Sequence, residues 1–205
     1  MPESPNLTLY GLRLSGHSHR AELMLSLLNL SYHFHAVDLA AGEQHTDEFH
    51  RLNVFETVPV LQDGDVTIAD SVAILVYLAL RYDPSRMWLP SEPSAAAQVQ
   101  RWLSVAQGPV FNGPCTARLI KIFGLPGDYE HAAAESKRLL ERLDETLTQS
   151  PFLTGTTITL ADVAIYSYIA KAPEGEVSLE PYQNVCAWLN RVEALPFFLP
   201  MPAAN

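Results

Sequence analysis

Residues 15–20, Ser-Gly-His-Ser-His-Arg, set two hydroxyls, two imidazoles and a guanidinium around one glycine. They follow NLTLY, an apolar run that reads as a buried strand, and precede Ala21 to Leu30, whose apolar positions form a broad helical face. A hydroxyl at such a joint has two uses. It can cap the helix by accepting a hydrogen bond from an orphan N–H. It can also donate to a negative atom held in the positive potential of the helix N-terminus. The residues alone are satisfied by the cap.

Other residues of chemical interest also lie at the ends of elements. YHFHAV (32–37) alternates as a strand does. VPVL (58–61), Asp63-Gly64 and VTIA (66–69) make the strongest hairpin signal in the chain. Asp70-Ser71 opens a helical run, SVAILVYLALRY, ending at 82. The order β-α-β, connection, β-β-α requires a parallel pair joined by a crossover. Residues 83–94 carry Pro84, Pro90 and Pro93 and read as a linker between a first domain, 1–82, and a second, 95–205. In the second, strand signals nearly vanish. Helical windows run over 95–123, 129–149, 160–170 and 182–194, with GLPGD and SPFLTG as turns. Thr159 and Asp162 form a capping box, with Ile158 and Val163 placed for a hydrophobic staple. That motif is structural.

Composition bounds the function. The 205 residues are 48% hydrophobic and 18% charged, the balance of a globular chain. Thirteen basic and twenty-three acidic residues give a net charge of −10, which argues against a nucleic-acid partner but leaves room for a small anionic ligand in a local pocket. No apolar run approaches the roughly 20 residues of a membrane span, and MPESPNLTLY carries no secretory pattern. Cys115 and Cys186 stand far apart without CxxC spacing, so neither a disulfide framework nor a metal site is expected. A cytoplasmic location follows as the expectation.

Four stretches, LYGLRLSGHSHRAELML, AGEQHTDEFHRLNVFETVPVL, IADSVAILVYL and FLTGTTITLADVAIYSYI, occur in the order in which the cytosolic glutathione transferases carry theirs. They span about residues 7 to 194, nearly the whole chain. The chain resembles that family, in its bacterial, theta-like serine type. The resemblance implies a thioredoxin-like α/β N-terminal domain holding glutathione, an all-α C-terminal domain shaping the electrophile site, and a homodimer.

It also implies site roles. Ser15 stands where theta-like members carry the serine that donates to the glutathione sulfur, and a related bacterial group carries asparagine where His17 stands. Val58-Pro59 matches the cis-proline corner whose Val58 backbone pairs with the cysteinyl part of glutathione. Asp70-Ser71 matches the acidic-Ser pair at the γ-glutamyl end, Ser71 for its carboxylate and Asp70 for its ammonium. Gln44 and His45 lie where members meet the glycyl carboxylate. His19 and Arg20 read as a solvated first turn, with Arg20 an option for the anionic tripeptide, and Tyr10 reads as a buried strand aromatic. His17, Phe111, Arg118 and Tyr168 are possible walls of the second pocket, although aromatics at helical spacing are commonly core. The chain departs from the pattern at Val54, where Asn-Pro is usual, and at Glu56, where glycine is common.

The leading expectation is therefore glutathione transfer: Ser15 holds a thiolate that attacks a small hydrophobic electrophile, with glutathione as co-substrate and no metal. A glutathione-dependent disulfide or peroxide reductase is the second. It would need no enzyme thiol, since residues 1–82 contain no cysteine. A non-catalytic binding protein of the same fold is the third.

Overall fold

The computed structural model describes residues 6–204. Residues 1–5, included in the search for a secretory leader, lie outside it. The described residues divide into two compact units, one of residues 6–84 together with 196–203, the other of 85–195 with Ala204. Residues 196–203, grouped with the helical half on sequence, thus belong to the first unit.

In that unit β1 (Leu7–Gly11), α1 (Gly16–Leu27), β2 (His33–Ala36), a short 3-10 turn over Glu43–His45, α2 (Asp47–Leu52), β3 (Val60–Asp63), β4 (Val66–Ala69) and α3 (Ser71–Tyr82) follow in order. The strands form one sheet in the order β2-β1-β3-β4, with β1 parallel to β2 and antiparallel to β3, and β3 antiparallel to β4. This mixed sheet is the thioredoxin-like arrangement. The two faces are read from β1, where Leu7, Leu9 and Gly11 are buried and Thr8 and Tyr10 half-buried. Tyr10 packs on the cluster of Val37, Phe49 and Val60, which brings α2 against that face, and its hydroxyl donates to Gln62 at 2.7 Å. Helices α1 and α3 pack on each other, burying Leu23, Met24, Ile74, Leu75 and Leu78. The hairpin pairs Asp63 with Val66 across a two-residue turn in which Gly64 has φ 56°, the left-handed region that glycine enters freely.

The second unit is helical: α4 (Pro93–Gln107), α5 (Thr116–Phe123), α6 (Tyr129–Leu147), α7 (Leu160–Ala170), a 3-10 turn at Ala172–Gly175 and α8 (Gln183–Glu193). The single helix expected over 95–123 is broken. A π-type turn, Phe111–Cys115, intervenes, with Gly113 at non-helical φ −96°, ψ −105° and Pro114 inside it. Gly113-Pro114 supplies the break, since proline removes a helical donor and disfavours a helical conformation before it. Gly113 has a second role: a Cβ there would lie 2.9 Å from the Ser136 amide nitrogen, so it allows this turn to press on α6.

Every residue from Leu160 to Ile169 is buried, which makes α7 the centre of the unit. Its start is the expected capping box. Thr159 Oγ1 accepts from Ala161 N, and Asp162 Oδ2 accepts from Thr159 N at 3.0 Å. Asp162 Oδ1 also accepts from Leu153 N at 3.0 Å and Trp188 Nε1 at 2.9 Å, joining the preceding loop, α7 and α8. Burial pushes this carboxyl up while those donors pull it down. Ile158 and Val163 are both buried, as a staple requires.

Candidate functional site

The joint between β1 and α1 is built around two serines with different duties. Ser15 is the N-cap of α1, in extended conformation (φ −85°, ψ 122°), and its Oγ accepts from Ser18 N at 3.3 Å. Accepting leaves the hydroxyl proton to be donated elsewhere. Ser18 is fully buried and its Oγ accepts from Leu12 N at 3.1 Å. A Cβ on Gly11 would sit 2.9 Å from that oxygen, so glycine at 11 is what allows Ser18 to tie the loop. Of the two hydroxyls, Ser15 is the half-buried one at the helix mouth.

The first helical turn is not solvated as expected from sequence. His19 and Arg20 are fully buried. His19 Nε2 contacts the Leu199 carbonyl at 2.8 Å, so the 196–203 segment covers it. Arg20 Nη1 lies 3.1 Å from His17 Nδ1 and donates to Ser71 Oγ at 3.3 Å, and His17 Nδ1 lies 3.2 Å from the same Ser71 oxygen. A guanidinium nitrogen can only donate. His17 Nδ1 therefore accepts, and the proton of a neutral ring sits on Nε2. Burial and the Arg20 cation lower the His17 pKa from 6.5 to about 3, which keeps the imidazole neutral at ordinary pH.

Through this junction the N-termini of α1 and α3 are held together. Ser71 is buried at the start of α3, and Asp70 before it caps that helix, its Oδ1 accepting from Val72 N and Ala73 N, each at 2.9 Å. Asp70 adopts φ 78°, ψ 129°, outside the left-handed helical region and sparsely populated for any L-residue, a backbone strain held at the mouth of α3. Both helices thus present N-terminal dipole potential, with a buried guanidinium between them. Such an arrangement suits anionic groups.

Val58-Pro59 is a cis peptide immediately before β3, as the resemblance implied. The turn carrying Gln44 and His45 is anchored at both ends. Glu43 accepts from Asp38 N at 2.6 Å and contacts His35 Nε2 at 2.8 Å. His45 Nδ1 lies 2.6 Å from Glu56 Oε2, and His50 Nδ1 lies 3.0 Å from Glu56 Oε1. Gln44 Nε2 lies 2.9 Å from His45 Nε2.

The second-pocket candidates separate. Arg118 is buried and paired with Glu174 at 2.7 Å, and Tyr168 is buried within α7, so both serve the helical core; Phe111 is exposed. Both cysteines are free thiols, Cys115 buried. Among the described residues no His, Cys, Asp and Glu group could hold a metal, and no helix is long and apolar enough to cross a membrane.

Two contacts were not foreseen on sequence. The expectation of a solvated Arg20, with the anionic tripeptide as its option, gives way to a buried guanidinium beside His17, which stands three residues away and so shares its helix face. Glu56 appeared only as a departure from pattern. Its φ of 55° lies in the left-handed region that glycine enters freely.

Comparison with known proteins identifies the family. The family model "Glutathione S-transferase, N-terminal domain" matches residues 5–80, and "Glutathione S-transferase, C-terminal domain" matches 124–196. Glutathione S-transferase theta-3 of Mus musculus is 33% identical over 176 residues, 80% of this chain and 73% of the mouse protein. A probable maleylacetoacetate isomerase of Vibrio cholerae is 30% identical over 205 residues, 94% of each. Among solved structures, a glutathione S-transferase from Pseudomonas fluorescens superposes with TM-score 0.89 at 33% identity, covering 96% of this chain and 99% of that one. A glutathione transferase homologue from Drosophila mojavensis with bound glutathione gives 0.85 at 29% identity, covering 94% and 89%. With both of its halves matched and its order of elements shared, the chain belongs to the cytosolic glutathione transferase family of enzymes.

Proposed function

We propose that the chain binds glutathione at the paired N-termini of α1 and α3 and activates it as a thiolate for attack on a small hydrophobic electrophile. The observation that carries this reading is the His17–Arg20–Ser71 junction, which holds two helix N-termini and a buried cation beside the Ser15 hydroxyl. Ser15 donates to the sulfur. Neutral His17 presents Nε2–H as a second donor, and Ser71 takes the γ-glutamyl carboxylate by turning its proton away from His17. Asp70 meets the ammonium, the Val58 backbone beside Pro59 meets the cysteinyl unit, and Gln44 with His45 meets the glycyl carboxylate. A free thiol titrates near 8.5, and each unit of lowering needs about 1.36 kcal/mol. One charge-assisted hydrogen bond contributes roughly 1.5–3 kcal/mol, enough to make thiolate dominant near neutrality. The thiolate then forms the carbon–sulfur bond, and the electrophile's leaving group departs with the bonding pair. Positioning and electrostatic stabilisation perform the catalysis. The family reading also carries a homodimer and a cytoplasmic location.

A second reading, glutathione-dependent isomerisation, draws on the Vibrio cholerae relative, which matches over nearly its full length. It uses the same thiolate, adding to a conjugated double bond and leaving again. A glutathione-affinity column followed by assays with a halogenated nitrobenzene, a hydroxyethyl mixed disulfide and a cis-enedioate tests both. Transfer consumes glutathione stoichiometrically; isomerisation returns it. Failure to bind glutathione would refute both and favour a non-catalytic member.

A further inference from the structure

We propose that Glu56 is a positioning residue for the glycyl end of glutathione, acting on Gln44 through His45; this rests on the reading that Gln44 meets the glycyl carboxylate. Glu56 uses both oxygens on imidazoles, Oε2 on His45 Nδ1 at 2.6 Å and Oε1 on His50 Nδ1 at 3.0 Å. Those contacts hold its carboxyl below the usual carboxylate range, and an ionised carboxylate only accepts. His45 and His50 therefore both donate from Nδ1. The other nitrogen of His45 lies 2.9 Å from Gln44 Nε2, and an amide nitrogen only donates. His45 is thus a neutral ring with its proton on Nδ1 and Nε2 accepting from Gln44.

Gln44 depends on that contact. Its Oε1 is buried and meets no donor among the described residues, so His45 alone orients the amide. One amide proton goes to His45, leaving the second for a ligand carboxylate. In this arrangement Gln44 touches the ligand, His45 relays and Glu56 anchors. The opposite end of the turn is fixed independently by Glu43 on Asp38 N and His35, so losing Glu56 frees the Gln44–His45 end and releases His50 of α2 while the Glu43 end stays anchored.

The backbone supplies an unusual control. Glu56 sits at φ 55°, where glycine is less strained than any other residue. Glu56→Gly removes the anchor while relieving the backbone, so its melting temperature should not fall. In the full chain, imidazole-edited 15N spectra near neutral pH are expected to show His45 protonated on Nδ1, and Glu56→Gly to lose that preference. The same variant should raise the KM for glutathione about fivefold to tenfold, less than the full loss of one hydrogen bond to a charged group because Gln44 itself remains, with kcat within about twofold. A wild-type His45 protonated on Nε2, or on both nitrogens, overturns the relay. If Gln44→Ala raises KM and Glu56→Gly does not, Glu56 has no positioning role and the site reading stands. If Gln44→Ala leaves KM unchanged, the site reading falls and this proposal with it.

Discussion

Replacing Ser15 with alanine should remove two interactions of different size, the cap seen in the structure and the bond to sulfur proposed above. The cap is the smaller. Ser15 Oγ accepts from Ser18 N at 3.3 Å, a long bond, so its loss should sit near the low end, about 0.5 kcal/mol, of N-cap costs. For a chain of this length that lowers the melting temperature by about 1–2 °C. The larger is the proposed hydrogen bond to the glutathione sulfur, roughly 1.5–3 kcal/mol to a charged acceptor, equivalent to one to two units of thiol pKa. The thiolate ultraviolet band of the glutathione complex, titrated against pH, should give a pKa near 6.5–7.5 for the wild type and above about 8 for Ser15→Ala. Ser15→Gly sharpens the comparison, because glycine costs only a few tenths of a kcal/mol at an N-cap yet also lacks the hydroxyl. It should titrate like alanine while melting like the wild type. Ser18→Ala, by contrast, should lose stability through its Leu12 contact and leave the thiol pKa unmoved. An unchanged thiolate titration in Ser15→Ala, with the sulfur still bound, would refute the assignment.

Two further outcomes follow from buried ionisable groups. The unfolded His17 ring titrates near 6.5 and the folded one near 3, so the unfolded state binds more protons in that window and stability must fall as pH drops below about 6.5. At full effect the slope is about 1.36 kcal/mol per pH unit; urea unfolding at two pH values between 7.5 and 5 should show it, and His17→Gln should flatten it. Equal pH dependence in the two proteins would show that His17 is not held neutral by the fold. Asp162→Ala leaves the Leu153 and Thr159 amides and the Trp188 indole without their acceptor; a cost of about 3 kcal/mol or more, a drop of roughly 6–12 °C in melting temperature, is expected by calorimetry with kcat retained in the folded fraction.

How much of this was legible in the residues depended on whether the signal was local. The hairpin at Asp63-Gly64, the capping box at Thr159 and Asp162 and the paired N-caps at Ser15 and Asp70 are decided by neighbours within four positions, and each formed at its expected place. The break in the long helical window was also local, written in Gly113-Pro114, but the apolar periodicity on either side masked it. Arg20 was harder. A guanidinium in a first turn is ordinarily solvated, and what buries this one comes from α3 through Ser71 and from the first unit's own packing. His19 was hidden for the same reason, its partner carbonyl belonging to Leu199. Glu56 could be marked as unusual, but that both its oxygens hold imidazoles required knowing that α2 brings His50 beside the Glu43–His45 turn.

The return of residues 196–203 to the first unit has a consequence for biosynthesis. Ser26 Oγ donates to the Phe197 carbonyl at 2.7 Å, and the His19 ring meets Leu199 at 2.8 Å. During translation α1 therefore emerges long before these partners exist, and all of α4 to α8 must leave the ribosome first. Until then these two contacts cannot form, so the first unit can complete them only after the second has been made.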